Sequence, residues 1–213
     1  MPPNRELALE LYRQMAPRYD RGGAKWPFAG LRRRAVSHLG LKPGDFVLDA
    51  GCGTGLAFPL LEEAIGPDGR IIAIDQSPDM LARARERVEA GGWGNITLIE
   101  SPIEEAPIPG QADAALFALS HDIMRSPRAV ENVVRHVKPG GRISVVGMTW
   151  NPWWALPFNL IHALRLRRGA TTYEGLGRPW THLEKLIPGL QVKRVFRAQY
   201  GGYYFAWGAR PSM

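Results

Sequence analysis

Short apolar runs alternate with longer segments of helical spacing from Asp45 onward. This alternation predicts repeated strand–helix units and a mainly parallel sheet. Five strands are predicted, at Phe46-Val47-Leu48, Arg70 to Ile74, Ile96 to Ile99, Ala114 to Leu119 and Arg142 to Val146. The fourth is nearly all apolar, which is typical of a strand covered on both faces, so we expect it at the centre of the sheet.

Serine, proline and glycine mark where the intervening helices begin and end. Ser77-Pro78 and Ser126-Pro127 each place an N-cap residue before a proline at the first helical position. Glycine-rich turns are expected at residues 66–69 and 138–141. The three helices are predicted from Leu56 to about Ile65, from Ser77 toward Ala90 and from Ser126 to near Val137.

A hairpin is predicted near the end of the chain, with strands at Gln191 to Arg197 and Tyr203 to Ala209. We therefore predict a Rossmann-like α/β fold, in which helices cover both faces of a mostly parallel seven-stranded sheet and the hairpin closes one edge in antiparallel fashion. With 213 residues, one domain is expected. It comprises a helical cap (1–40), a βα core (45–147), a lid or substrate-binding insertion (148–190) and the hairpin (191–210).

Composition narrows the setting without naming a function. Hydrophobic residues make up 45% and charged residues 22%, as in ordinary globular proteins. Cys52 is the only cysteine, which excludes an internal disulfide and a zinc site with several thiolates. The N-terminus lacks the apolar run of a secretory signal, and the apolar stretch from Trp153 to Leu164 falls short of the roughly 20 residues that span a bilayer. We expect a cytoplasmic protein, at most peripheral to a membrane, with no metal.

The residues Asp49-Ala50-Gly51-Cys52-Gly53-Thr54-Gly55 place a carboxylate at a strand end and three glycines in the turn that follows. Glycine lets backbone amides approach a ligand closely, beside the partly positive start of the next helix. A dinucleotide turn of the G-x-G-x-x-G/A type requires a small residue where Leu56 stands. Asp49 attracts a ligand that carries ammonium and sulfonium charges, whereas a pyrophosphate gains nothing from it.

Asp75 lies twenty residues after Gly55, at the end of the second predicted strand. A carboxylate there can accept hydrogen bonds from both ribose hydroxyls. Alternatively, Asp49 and Asp75 merely end strands and cap helices. Together with the glycine turn, the two aspartates predict a nucleoside-type cofactor site.

At these positions the sequence resembles the class I S-adenosylmethionine-dependent methyltransferases, particularly the ubiquinone/menaquinone methyltransferase-like branch. The resemblance extends over roughly residues 11–146. It rests on Ala16-Pro17-Arg18-Tyr19-Asp20, the Val47 to Gly55 segment, Asp75 with Ser77-Pro78-Asp79-Met80, and Val137-Lys138-Pro139-Gly140-Gly141. It implies a methyltransferase that binds S-adenosyl-L-methionine and releases S-adenosyl-L-homocysteine.

The resemblance assigns the glycine turn to the methionine part of the cofactor, Asp75 to the ribose, and Gln76 with Met80 to the surroundings of adenine. Where the family often has an acidic residue for the adenine amino group, after the third strand, this chain has Ser101-Pro102-Ile103. The predicted cofactor-binding residues are Tyr19, Asp49, Gly51, Cys52, Gly53, Thr54, Gly55, Asp75, Gln76, Met80, Ser101, Pro102, Ile103 and Leu119.

Methyl transfer from a sulfonium needs alignment and exclusion of water more than a dedicated base. If the acceptor must lose a proton, His121 is the catalytic candidate, because it follows the fourth strand. His121 has two other interpretations, as a helix cap or as a cofactor contact. Cys52 is not expected to act as a nucleophile, since small residues in tight turns usually serve packing.

Trp153, Leu156, Leu160, Ile161 and Leu164 recur at helical spacing. This segment packs on the body of the protein, covers the acceptor cavity as a lid, or touches a membrane with its tryptophan and the arginines that follow. We favour a lid, and with it a hydrophobic or lipid-like acceptor such as a quinone precursor, an aminophospholipid or an aromatic metabolite. Further cavity candidates are Tyr173, Trp180, His182, Tyr203 and Tyr204.

Two other functions stay open. The net charge of +7 and the arginine groups at 32–34 and 165–168 suggest nucleic-acid modification, although the arginines are equally typical of solvated helix faces. We rank nucleic acid lower because the extra segments are more aromatic than basic. The other alternative is a non-methylating protein that retains the cofactor site.

Overall fold

The computed structural model describes residues 5–20, 26–151, 155, 159, 174–197 and 201–212. Its helices are α1 (Arg5–Tyr19), α2 (Trp26–Ser37), α3 (Phe58–Ile65), α4 (Pro78–Gly91), α5 (His121–Arg125), α6 (Pro127–Arg135) and α7 (Thr181–Leu186). Its strands are β1 (Phe46–Ala50), β2 (Arg70–Asp75), β3 (Ile96–Glu100), β4 (Ala112–Ala118), β5 (Val137–Thr149), β6 (Gln191–Arg197) and β7 (Gly201–Ala209).

The strands form one seven-stranded sheet in the order β3-β2-β1-β4-β5-β7-β6. Strands β1 to β5 pair in parallel, with Leu48 opposite Ile72 and Ala115. Strand β7 is antiparallel to both β5 and β6. The predicted Rossmann-like sheet, with its antiparallel hairpin at one edge and β4 in the central position, is confirmed.

Helices cover both faces of the sheet, as the apolar runs of its central strands require. On one face, Val130 and Val133 of α6 and Leu183 of α7 pack against Leu48 and Phe117. The other face is covered by α2, α3 and α4, through residues that include Ala35, Leu61, Leu81 and Ala84. Strands β1 and β4 contribute buried residues to both of these clusters, so helices pack on both of their faces. The loops that follow these two strands therefore begin from a well-packed part of the sheet.

Several element boundaries differ from the sequence-based prediction. Helix α3 begins at Phe58, two residues after the predicted start, because the glycine turn extends to Ala57 and Pro59 lies in the first helical turn. The predicted caps of α4 and α6 are confirmed: Ser77 Oγ accepts from Met80 N at 3.4 Å, and Ser126 Oγ accepts from Ala129 N at 3.3 Å.

The turn expected at residues 138–141 is instead part of β5, which begins at Val137. Gly140 N donates to Arg210 O at 2.9 Å, and Arg210 N donates to Gly141 O at 2.8 Å. The residue that follows β7 therefore continues the ladder past the glycines. The short helix α5, directly after β4, is an element that the apolar pattern did not predict.

Candidate active site

A cavity of about 300 Å³ lies beyond the carboxyl ends of β1, β2 and β4. Helix α1, the glycine turn and the chain after β4 all contribute to its walls. This is the position where open α/β sheets bind their ligands. Of the predicted cofactor-binding residues, those that line the cavity are Tyr19, Asp49, Gly51, Cys52, Gly53, Thr54, Asp75, Gln76, Met80, Ile103 and Leu119.

The glycine turn has a left-handed backbone at each of its glycines, with φ of 79° at Gly51, 56° at Gly53 and 76° at Gly55. An ideal Cβ on Gly51 would lie 2.5 Å from Ile123 Cδ1, whereas a Cβ on Gly53 would meet no atom within 4 Å. Gly51 is therefore required for packing, and Gly53 leaves open space in the cavity wall.

Gly55, by contrast, does not line the cavity. A Cβ there would lie 2.3 Å from the Phe58 ring, so this glycine allows the first turn of α3 to pack closely. Ser101 and Pro102 are likewise outside the lining. Ser101 N donates to Asp75 O at 3.1 Å, and its hydroxyl donates to Pro102 O at 2.9 Å. The predicted direct contacts of Gly55, Ser101 and Pro102 with a ligand have no support in the shape of this cavity.

Asp75 organises the turn from the end of β2. Its Oδ2 accepts from Gly53 N and its Oδ1 accepts from Ser77 N, both at 2.9 Å. Burial raises the pKa of Asp75, and these backbone hydrogen bonds oppose the rise. Since each carboxylate oxygen has two acceptor sites, both oxygens retain capacity for ligand hydroxyls.

Asp49, at the end of β1, is only 1% exposed. Within the described residues, neither of its carboxyl oxygens accepts a hydrogen bond. Burial raises the pKa of Asp49 to about 7, with a further contribution from the negative charge of Asp75, while the Arg32 guanidinium acts in the opposite direction. A buried carboxyl group with no donor is a costly feature, which indicates that a ligand completes it.

Arg32 on α2 lines the cavity, whereas the sequence suggested either a contact with an anionic partner or a solvated helix face for it. It is 5% exposed. Burial lowers its pKa, and the nearby Tyr19, Asp49 and Asp20 oppose that shift. A signal was available in the sequence: the apolar residues Ala35 and Val36, which are buried, follow Arg32 at positions i+3 and i+4 of the same helical face.

Helix α1 covers the cavity with Arg5, Ala8, Tyr12 and Tyr19. Burial raises the pKa of both tyrosine hydroxyls, so they are neutral at physiological pH. Tyr12 and Tyr19 thus offer uncharged aromatic surface and a hydroxyl each to an occupant.

Two features of the remaining lining were not predicted. Glu104 lines the cavity just beyond Ile103, so a carboxylate does follow β3, three positions past Ser101. Leu119 has a φ of 63° and donates its N–H to Val146 O at 2.7 Å. A non-glycine residue in this conformation costs roughly 1–2 kcal/mol, and such strain concentrates at functional sites.

His121, the predicted base, is the first residue of α5 and does not line the cavity. Its Nε2 lies 3.1 Å from Glu174 O. Burial lowers the pKa of His121, which keeps the ring neutral at pH 7. The neighbouring residues Ser120 and Asp122 do line the cavity. The described arrangement makes His121 a contact of the segment at Glu174, and its catalytic role stays a prediction.

Cys52 lines the cavity. Burial raises the pKa of its thiol well above the usual value, and the negative charges of Asp75 and Asp49 raise it further. A thiol of this kind is a poor nucleophile.

The predicted acceptor side lies largely outside the described residues, including Trp153, Leu156, Leu160, Ile161, Leu164 and Tyr173. Three described candidates belong to the core instead: Tyr203 and Tyr204 are 2% and 1% exposed, and Trp180 packs on Tyr204 with a centroid distance of 5.0 Å. In the part of the chain that the structure covers, no cluster of metal-ligating side chains occurs and no helix is long and apolar enough to cross a bilayer.

Comparison with known proteins gives the site its context. Residues 47–141 match the family model described as "Methyltransferase domain". A demethylmenaquinone methyltransferase from Symbiobacterium thermophilum is 31% identical over 145 residues, which is 64% of this chain. The chain spans only 57% of the length of that relative.

Among solved structures, the N-methyltransferase NodS from Bradyrhizobium japonicum in complex with S-adenosyl-L-homocysteine has a TM-score of 0.64 at 20% identity, covering 94% of this chain and 99% of NodS. The [4+2]-cyclase SpnF has a TM-score of 0.68 at 18% identity, covering 100% of this chain and 98% of SpnF. At these identities the structural likeness establishes the fold. The family match over the βα core and this shared fold agree with the resemblance to class I S-adenosylmethionine-dependent methyltransferases that the sequence carries.

Proposed function

We propose that this chain is an enzyme that transfers a methyl group from S-adenosyl-L-methionine to a small acceptor. The observation that carries the proposal is Asp49, a carboxyl group 1% exposed that lines the cavity and accepts no hydrogen bond from a described residue. An occupant with an ammonium and a sulfonium supplies the positive charge that this group lacks.

The residues around Asp49 fit the other parts of that cofactor. Arg32 binds the methionine carboxylate of the cofactor, and Asp49 binds the methionine ammonium. Asp75 accepts from the ribose, and Ile103 with Met80 packs on the adenine. The open space at Gly53 allows close approach to the backbone of the turn.

When bound, S-adenosyl-L-methionine supplies an electrophilic methyl group, and the protein contributes alignment and a dry site. Tyr12 and Tyr19 of α1 exclude water from one side of the cavity. Ser120 and Asp122, beyond β4, are placed to contact an acceptor that enters from the other side.

A base role for His121 is a separate proposal with its own test. Because burial lowers its pKa, the ring is in its neutral, proton-accepting form at pH 7 and loses that form only as the pH falls below this lowered pKa. Loss of a general base typically lowers the rate by about 10²–10⁴-fold. His121→Gln should therefore lower kcat at least a hundredfold and abolish the acid limb of the pH profile. A loss below about tenfold would leave His121 as the contact of Glu174 alone.

We propose a hydrophobic or lipid-like acceptor, with a quinone precursor as the first class to test. The relative named a demethylmenaquinone methyltransferase supports this choice, as does the aromatic-rich insertion at residues 148–190. A peripheral membrane contact would bring such an acceptor to the site.

The test is turnover by the purified chain. Methyl-labelled S-adenosyl-L-methionine is mixed with a demethylated quinone, aminophospholipid vesicles, a soluble phenol or an RNA, and labelled acceptor and S-adenosyl-L-homocysteine are quantified. We expect transfer to the quinone and parallel loss of transfer in Gly53→Val, with Glu10→Gln as the control on the outer surface of α1. Because the [4+2]-cyclase SpnF shares the fold, cofactor binding without transfer to any acceptor would refute the methyltransferase proposal.

Nucleic acid is the second candidate, motivated by the net charge of +7. Arg32 weakens it, since this arginine is 5% exposed and unavailable to a phosphate backbone. RNA binding with an affinity that falls steeply between 50 and 200 mM salt, on the order of 10³-fold, would favour this candidate over a small acceptor.

A further inference from the structure

Three side chains connect the end of α1 to the glycine turn and to α4. Thr54 Oγ1 donates to Asp20 Oδ1 at 2.7 Å, and the Arg87 guanidinium forms an ion pair with Asp20 Oδ2. Arg87 Nε also donates to Thr54 O at 2.8 Å. We call this closed network of Asp20, Thr54 and Arg87 the α1 clasp.

The clasp is better shielded than the other ion pairs near it. Thr54 is 1% exposed, and the side chains of Arg87 and Asp20 are 23% and 33% exposed. The pair of Arg13 with Glu10, within α1, is 65% and 46% exposed. Partial shielding from water strengthens an ion pair. The clasp also joins separate elements, whereas the pair of Arg13 with Glu10 lies within one helix.

Helix α1 packs on the protein mainly through side chains that are only partly buried. Of its side chains with described burial, only Ala8 and Ala16 are fully buried. Half-buried side chains, including Leu11, Tyr12 and Met15, add further apolar contact along the helix. The clasp supplies hydrogen bonds and an ion pair at the end of α1 that adjoins the glycine turn.

The clasp also adjoins the cavity at two points. Asp20 directly follows Tyr19, which lines the cavity. Thr54 lines the cavity itself, next to Gly53. Release of the clasp would free the Tyr19 end of the helix that covers the site.

We propose that Asp20 is a positioning residue, which keeps α1 over the cavity through Thr54 and Arg87 and thereby slows the escape of the occupant. That the occupant is S-adenosyl-L-methionine rests on the proposed function, whereas the docking of α1 by Asp20 does not.

Asp20→Ala removes the two hydrogen bonds that Asp20 accepts and leaves the bond from Arg87 to Thr54 O. When the closed state is populated only in part, the apparent affinity falls by that fraction. We expect about tenfold weaker binding of S-adenosyl-L-homocysteine, expressed mainly as faster dissociation. Asp20→Asn keeps an acceptor for Thr54 but loses the charge that faces Arg87, so its effect should be intermediate. Glu10→Gln is the matched control, since it removes an ion pair from the same helix without loosening it.

The first measurement is hydrogen exchange of the α1 amides in the ligand-free protein. Faster exchange across residues 5–19 in Asp20→Ala and in the near-isosteric Thr54→Val, with no change in Glu10→Gln, is expected. Exchange at the rate of the unmodified chain in both variants would overturn the proposal, whatever ligand the site takes.

The second measurement is the dissociation rate of S-adenosyl-L-homocysteine, by stopped flow, together with the thermal midpoint. A purely structural role would lower the midpoint without changing the dissociation rate, and this result would overturn positioning. Faster dissociation in Asp20→Ala, with partial rescue by Asn and a midpoint close to that of Glu10→Gln, supports it. If the unmodified chain binds neither form of the cofactor, the proposed function fails, and the exchange data still decide whether the clasp docks α1.

Discussion

Asp49→Asn should remove a pH dependence that we expect in cofactor binding. The carboxyl group is 1% exposed and accepts no hydrogen bond from a described residue. Burial raises its pKa to about 7, the charge of Asp75 adds to the rise, and Arg32 opposes it. A cationic ligand binds best when this group is ionised, so ligand binding and proton release are linked.

The size of the effect follows from that pKa. With a pKa of about 7, the ionised fraction is roughly 0.1 at pH 6 and roughly 0.9 at pH 8. The affinity for S-adenosyl-L-methionine should therefore rise by about tenfold over this interval, which corresponds to about 1.4 kcal/mol. At pH 7, binding should release about half a proton per ligand.

Titration calorimetry at pH 6, 7 and 8, in buffers that differ in ionisation enthalpy, measures both quantities. Asp49→Asn should bind more weakly at pH 8 and show no slope. A flat affinity in the unmodified chain, or an equal slope in both proteins, would refute the assignment of Asp49 as the titrating group.

The same pKa makes a prediction about the stability of the ligand-free protein. The pKa of Asp49 is raised from 3.8 to about 7 on folding, so the folded state binds the proton more tightly. The resulting penalty is absent below pH 3.8, grows as the pH rises and is complete above about pH 7, where it amounts to as much as roughly 4 kcal/mol. Asp49→Asn should accordingly raise the thermal midpoint at pH 8 and leave it nearly unchanged at pH 4. A stabilisation that did not grow with pH would contradict this account.

Two further predictions concern the turn. Gly51→Ala should lower the thermal midpoint by roughly 6–12 °C, since a Cβ there meets side chains at 2.5 Å in a left-handed backbone. Gly53→Ala adds a methyl to open space and has only the backbone cost, about 2–8 °C, while it weakens ligand binding. Similar midpoints for the two variants in thermal melts would contradict the packing argument. Asp75→Asn leaves one backbone N–H without an acceptor, at a cost of about 1–3 kcal/mol, and weakens cofactor binding by calorimetry. Asp113 also accepts a backbone N–H, from Phe46, but at the amino end of β4, opposite to the end that borders the cavity. Asp113→Asn should therefore destabilise the fold without changing the affinity, and equal losses of affinity in the two variants would undo the ribose assignment.

The positions of the strands and the glycine turn could be predicted because both depend on local pattern. Apolar runs such as Val47-Leu48 and Ile71-Ile72 are long enough to indicate buried strands, and the right-handed crossover rule then constrains their arrangement. The left-handed backbone at Gly53 was likewise readable, since only glycine adopts it without cost.

The charged lining could not be predicted in the same way. Arginines are rarely buried, so a surface position was expected for Arg32. The groups that oppose the effect of its burial, Tyr19, Asp49 and Asp20, lie 12 to 17 positions away along the chain. The orientation of His121 depends on Glu174, at a separation of 53 residues. The extension of β5 through Gly140 arises from pairing with Arg210, a contact that no local turn signal reports.

A comparison of two ligands decides which positive group of the cofactor lies opposite Asp49. S-adenosyl-L-methionine carries an ammonium and a sulfonium, whereas S-adenosyl-L-homocysteine carries only the ammonium. Arg32 and Asp49 line the same cavity, and the charge of Arg32 acts on Asp49. On this basis we assign them to the carboxylate and the ammonium of one α-amino acid. We therefore expect the same rise in affinity from pH 6 to pH 8 for both ligands, to within about twofold.

Arg32→Met tests the pairing from the opposite side. Since Arg32 lowers the pKa of Asp49, its removal should shift the midpoint of the pH dependence above 7, and loss of the carboxylate partner should weaken both ligands equally. Calorimetry over pH 6 to 9 measures the shift, with Arg33→Met, an exposed neighbour on α2, as the control. If only the affinity for S-adenosyl-L-methionine rose with pH, Asp49 would lie opposite the sulfonium instead. The two ligands would then differ most in affinity at high pH, where S-adenosyl-L-homocysteine would dissociate more readily than S-adenosyl-L-methionine.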